Sequence, residues 1–146
     1  IIIIGEGKLK KKIFELLKQS KIKYILKNRM TQKKIIPFLR QSDFFILPSL
    51  YEGHPKTLLE MMIFRIPIIA CKVQGIKEII IHNKTGLLSD TDVESIRQSI
   101  QNFYKLSIKK KKEMTSSAFH YAKEQFDVSK VAAREFKIYM SILNDI

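Results

Sequence analysis

Pro48-Ser49-Leu50-Tyr51-Glu52-Gly53-His54-Pro55-Lys56-Thr57-Leu58-Leu59-Glu60 is the stretch on which the fold turns. The residues before it, Asp43–Pro48, hold an unbroken apolar run, Phe44 to Leu47, as in a strand buried on both faces. Leu50–Gly53 reads as a loop. Pro55 suits the first position of a helix: its φ is preset, and the N–H it lacks is one that a helix start leaves unbonded. That helix should run to about Phe64. Ile66–Cys71 is a second buried strand. A strand, a helix and a strand in this order form a β-α-β unit, whose strands run parallel.

The same alternation extends outward. Ile1–Ile4 reads as a strand ending at Gly5-Glu6-Gly7, and Leu9, Ile13, Leu16 and Leu17 follow helical spacing. Ile22–Leu26 is a short strand, Lys27-Asn28-Arg29 a polar turn, and Thr31–Gln41 a helix that Pro37 starts or kinks. Downstream, Gly75–Ile81 predicts a short helix, His82–Gly86 a turn and Gly86–Leu88 a strand. Val93, Ile96, Ile100 and Phe103 form one apolar stripe behind an N-cap at Asp90 or Thr91. Lys109–Lys112 lies in or before the next helix. Val128, Ala132, Phe136, Tyr139 and Leu143 make the stripe of the last. The expected fold is α/β, a Rossmann-like parallel sheet with helices on both faces. Ligands of such sheets bind at the carboxyl ends of the strands, which selects the loops after Ile4, Leu26, Pro48 and Cys71.

The chain has 146 residues, about one domain, and its 45% apolar content is enough for a core. Its single cysteine, Cys71, cannot form an internal disulfide and fits a reducing, cytoplasmic setting. No apolar run approaches the roughly 18 residues of a membrane span. The first residue is Ile1, inside an apparent strand, so a fragment is expected. The net charge is +13, and residues 1–42 hold 12 basic and 2 acidic side chains. Such a field attracts a nucleic acid, an anionic lipid or a phosphorylated substrate, and competes with the plainer reading of lysines that solvate exposed faces.

Glu52 and Glu60 stand eight residues apart on either side of the expected helix start. The first N–H groups of a helix have no partners within it, so they offer an anion site suited to a diphosphate. A carboxylate repels phosphate but accepts two hydroxyl hydrogen bonds, as from a vicinal diol. Hydroxyls should therefore go to the glutamates and phosphates to the amides. Thr57 and Glu60 share a helix face, while Leu58, Leu59 and Met62 can turn to the sheet.

These residues, with Ser42-Asp43, Leu47-Pro48-Ser49, Tyr51-Glu52-Gly53, Leu59-Glu60, Ile66-Pro67-Ile68-Ile69-Ala70, Gly75-Ile76, Glu78-Ile79 and Thr85-Gly86-Leu87-Leu88, resemble the signature of the retaining group 1 glycosyltransferases of the GT-B fold (family GT4). The likeness covers the whole chain and is densest over 43–88. It implies that residues 1–146 are part of the C-terminal donor-binding domain, without its first strand and helix and without the N-terminal acceptor domain. By resemblance, Glu60 would bind the donor ribose. Glu52, the catalytic candidate, would contact the transferred sugar. Gly53, His54, Pro55, Lys56, Thr57 and Leu58 would line the sugar and diphosphate, through backbone amides at all but Pro55. Asn28 and Arg29 would hold the base. The implied reaction is transfer from a nucleoside-diphosphate sugar with retention, to a glycan or lipid-linked acceptor, in cell-surface glycan or lipopolysaccharide assembly. No metal or other cofactor is expected, and the chain shows no clustered Asp/His ligand set. Four positions depart from the family pattern: Arg65 and Gln74 replace glycines, Lys77 a frequent proline, and His54 an aromatic residue.

Three further readings stay open. The basic helix Lys8–Lys18 could meet the inner face of a membrane, or be a solvated surface helix. A nucleic-acid module would explain the charge, but no helix-turn-helix, zinc finger or RNA-binding aromatic motif is present, so no nucleic-acid partner is expected. An inactive piece of a disrupted gene is the third; a fragment without the acceptor domain is expected to be inactive alone.

Overall fold

The computed structural model describes residues 1–144 and divides into two compact units, 1–42 and 43 onward. In the first, β1 (Ile2–Ile4) and β2 (Ile25–Lys27) pair in parallel, Ile3 opposite Leu26. They are connected by α1 (Lys10–Gln19) and followed by α2 (Gln32–Arg40). Pro37 sits inside α2 and does not start it. The Phe14 and Tyr24 rings meet edge-on at 6.5 Å, tying α1 to the segment before β2. No side chain of this unit is fully buried, so the apolar Ile1–Ile4 run is half-covered, with Ile1 itself exposed. β2 begins three residues later than its sequence indicates, because Ile22 stays exposed beyond the Ser20 cap of α1.

The second unit holds the core. β3 (Phe45–Leu47), β4 (Ile68–Cys71) and β5 (Leu87–Ser89) form a parallel sheet with β4 central. Every β4 residue is buried, which is why its sequence is continuously apolar rather than alternating. The β3–β4 connection is α3 (Lys56–Ile63), and α4 (Gln74–Lys77) lies between β4 and β5. Leu58, Met61 and Met62 bury the inner face of α3. Against it runs α6 (Ile108–Gln125), whose buried Met114, Ala118 and Ala122 recur every fourth residue, and whose small residues permit close approach. Helix α5 (Val93–Lys105) packs on β4 and β5 with Phe103, whose ring lies 5.0 Å from Phe44. The five strands thus hydrogen-bond as two parallel sheets, one in each unit.

The caps correct the sequence reading in detail. Asp92, rather than Asp90 or Thr91, caps α5 by accepting from the Ser95 N–H at 2.9 Å. That hydrogen bond to the backbone amide holds the Asp92 carboxyl below its ordinary range. Helix α7 (Val128–Asn144) follows the expected 3.6-residue stripe, but Val128, Phe136, Tyr139 and Leu143 are exposed along it. Val93, assigned to the α5 stripe, is exposed too.

Arg65 explains one departure from the family pattern. It takes φ 55°, just past the end of α3. Its N–H donates to the Met62 carbonyl (3.1 Å) and the Ile66 N–H to that of Met61 (2.9 Å). This is a Schellman ending, whose left-handed residue is usually glycine. Here the arginine accepts the strain and lays its guanidinium 4.0 Å over the Phe119 ring of α6.

Candidate active site

Parallel strands send all their carboxyl ends one way, so in the second unit the segments after β3, β4 and β5 emerge together. Two of them meet. The Gly75 N–H donates to the Glu52 carbonyl at 3.2 Å. A methyl group at Gly75 would lie 1.9 Å from the Gly53 oxygen and 2.5 Å from that of Glu52. Only glycine lets α4 approach this loop. The sequence names Gly75 as part of a pattern without giving it a role; the structure makes it the support of the Glu52–Gly53 peptide.

Glu52 is half-buried, and its carboxylate accepts a hydrogen bond from the Ser49 hydroxyl at 2.7 Å. A loop acid three residues after a serine is therefore held in place at the end of β3. Ser49 was not legible as a site residue, because a lone serine at a strand end carries no distinguishing pattern.

Pro55 is buried and is the N-cap of α3, with φ −72° and ψ 99°, so the helix opens at Lys56, one residue later than the sequence indicates. The Pro55 carbonyl accepts from the Leu58 N–H at 3.0 Å, and no side chain caps this helix start. Lys56 and Thr57 are exposed at the first turn, and Leu58 is wholly buried beneath it. Glu60 is half-buried one turn after Lys56. Leu59, expected against the sheet, instead lines a groove of about 540 Å³ with His54, Phe126, Val131 and Glu135. His54 is exposed, and its ring centroid lies 5.7 Å from that of Phe126, tilted by 51°. The imidazole thereby makes the kind of ring contact expected of an aromatic residue at this position.

The structure thus brings Glu52, Gly53, His54, Pro55, Lys56, Thr57, Leu58 and Glu60 into one loop and helix start. Asn28 and Arg29 belong to the first unit, in the loop that leaves β2. There the Asn28 side-chain oxygen accepts from the Lys10 ammonium. Gln74, at the start of α4, donates from its amide to the Glu78 carboxylate at 3.0 Å. Among the described residues, no group of three His, Cys, Asp or Glu side chains lies close enough to hold a metal ion. Chemically, the loop offers backbone amides for an anion beside two carboxylates for hydroxyls.

Comparison with known proteins matches this architecture. An uncharacterized glycosyltransferase of Methanocaldococcus jannaschii is 35% identical over 89 residues, 60% of this chain and 25% of that protein. The chain spans only 16–38% of the length of the curated relatives it matches. Among solved structures, a glycosyltransferase from Rickettsia africae ESF-5 superposes with TM-score 0.84 at 21% identity, over 99% of this chain and 40% of that one. Anabaena Alr3699/HepE, solved in complex with UDP and glucose, superposes with TM-score 0.78 at 20% identity, over 96% of this chain and 40% of that one. At these identities the structures show the fold. The description of the glycosyl transferases group 1 matches residues 1–121, so the chain belongs to that family.

Proposed function

We propose that this chain is the donor-binding part of a retaining glycosyltransferase. The observation that carries the reading is the α3 start: a helix end without a side-chain cap, between Glu52, pinned by Ser49, and the half-buried Glu60. In this reading the diphosphate takes the N–H groups of Gly53, His54, Lys56 and Thr57, where the partial positive charge of a helix N-terminus stabilises it without a metal. Glu60 accepts the ribose hydroxyls. Glu52 accepts hydroxyls of the transferred sugar and acts at the reacting end. The sugar passes with retained configuration to a glycan or lipid-linked acceptor, in cell-surface glycan assembly on the cytoplasmic side. The 146-residue chain binds donor but does not complete transfer alone, in keeping with the fraction of its relatives that it spans.

UDP and glucose bound to Anabaena Alr3699/HepE make UDP the first ligand to try. Thermal unfolding with UDP, GDP, ADP and their sugar conjugates tests the reading. A ligand at 100 times its Kd stabilises the folded state by about 2.7 kcal/mol. One nucleotide should raise the melting temperature of wild type, and Glu60→Ala should lose most of that rise. If no nucleotide shifts a cooperatively folded wild type, the reading fails.

A further inference from the structure

We propose that the face of α1 carrying Leu9, Lys12 and Leu16 docks on an anionic lipid bilayer. These three residues lie at i, i+3 and i+7, so they share one side of the helix. Leu9 is 64% exposed and Leu16 57% exposed, while Ile13, Phe14 and Leu17 are half-buried. Part of the apolar stripe is therefore left in water. Lys12 is exposed within it and Lys8 just before the helix, while Lys11 and Lys18, two residues on from Leu9 and Leu16, are exposed on the other side. The one acid of the helix, Glu15, lies 3.7 Å from Lys18 and leaves the charge of Lys8, Lys11 and Lys12 uncompensated. Ile22, 59% exposed just beyond the helix end, adds a third apolar side chain at the surface of this unit.

Leu9, Lys12 and Leu16 together give this face both apolar surface and positive charge. A polynucleotide would engage the lysines and gain nothing from the leucines, and the one aromatic ring of α1, Phe14, is half-buried beneath the Lys18 ammonium at 4.4 Å. A headgroup layer rewards both: lipid charge attracts the ammonium groups, and the leucines reach the acyl boundary. At 10 residues α1 is too short to span a bilayer, so the proposed contact lies along the surface.

The test is binding of the 146-residue chain to vesicles of phosphatidylcholine, with and without about a third phosphatidylglycerol. No nucleotide is needed, so the result is independent of donor binding. The chain should bind the anionic vesicles only, less so as salt rises. Each Lys→Ala change at 8 or 12 should weaken binding about fivefold, and Lys18→Ala, on the other side of the helix, by less. Leu9→Ala and Leu16→Ala should each weaken it by up to about tenfold. Because the chain contains no tryptophan, Leu16→Trp supplies a single reporter, whose emission should shift to the blue on anionic vesicles. Absence of vesicle binding, an unshifted tryptophan, or leucine variants that bind like wild type overturns the proposal. Binding to a random DNA oligonucleotide as tight as to vesicles, and indifferent to the leucines, overturns it in favour of a general polyanion surface.

Discussion

Replacing Gly75 by alanine tests whether α4 supports the loop of Glu52 and Gly53. The added carbon would lie 1.9 Å from the Gly53 oxygen, where real contacts essentially never fall below 3.0 Å. The obstacle is backbone on both sides, so no side-chain rotation relieves it. Loop and helix must separate by about 1 Å, which also breaks the 3.2 Å bond from the Gly75 N–H to the Glu52 carbonyl. Overpacking costs about 1–3 kcal/mol and the lost bond about 1 more. For a chain of this size the melting temperature should fall by roughly 5–15 °C. A misplacement of about 1 Å also weakens an arranged site by as much as about 100-fold. Calorimetry with and without nucleotide measures both effects. If Gly75→Ala melts within a degree or two of wild type and keeps the nucleotide-dependent rise, the contact does not hold the loop.

Three other perturbations separate the roles of neighbouring residues. Ser49→Ala removes the hydroxyl that holds Glu52, and should weaken binding of the sugar conjugate about five- to tenfold while leaving the free nucleotide unchanged, as read by titration calorimetry. Arg65→Ala loses the Phe119 contact and keeps the left-handed strain, whereas Arg65→Gly loses the contact and relieves about 1 kcal/mol. The glycine variant should melt above the alanine variant, and the reverse order would refute the strain argument. Asp92 has a lowered carboxyl pKa, so its cap contributes stability that is complete above the ordinary value of 3.8 and is lost as pH falls through the folded-state value. Wild type should therefore lose melting temperature more steeply than Asp92→Asn in that acid range.

The strands and helices were largely legible because their signals are local. The apolar run Ile66–Cys71 reads as a buried strand, and the spacing of Val93, Ile96, Ile100 and Phe103 reads as a helix stripe. What sequence could not reach depended on contacts distant along the chain. The pattern shows that Arg65 replaces a glycine, but Phe119, more than 50 residues on, shows what the arginine does. Gly75 looks like any turn glycine until the Glu52–Gly53 carbonyls are placed against it. Asp90, Thr91 and Asp92 are all acceptable caps, and only the Ser95 amide selects among them. The exposed stripe of α7 shows the limit of periodicity, which identifies a face but not what covers it.

The close approach at Gly75 also fixes the orientation of the peptide units beside it. Both the Glu52 and the Gly53 oxygens are directed toward α4. No peptide bond among the described residues is cis, and in a planar trans unit the N–H points opposite to the C=O. The N–H groups of Gly53 and His54 are therefore turned away from α4, side by side. Gly75 thus sets the direction of two consecutive donors through backbone contact alone, before any ligand is present.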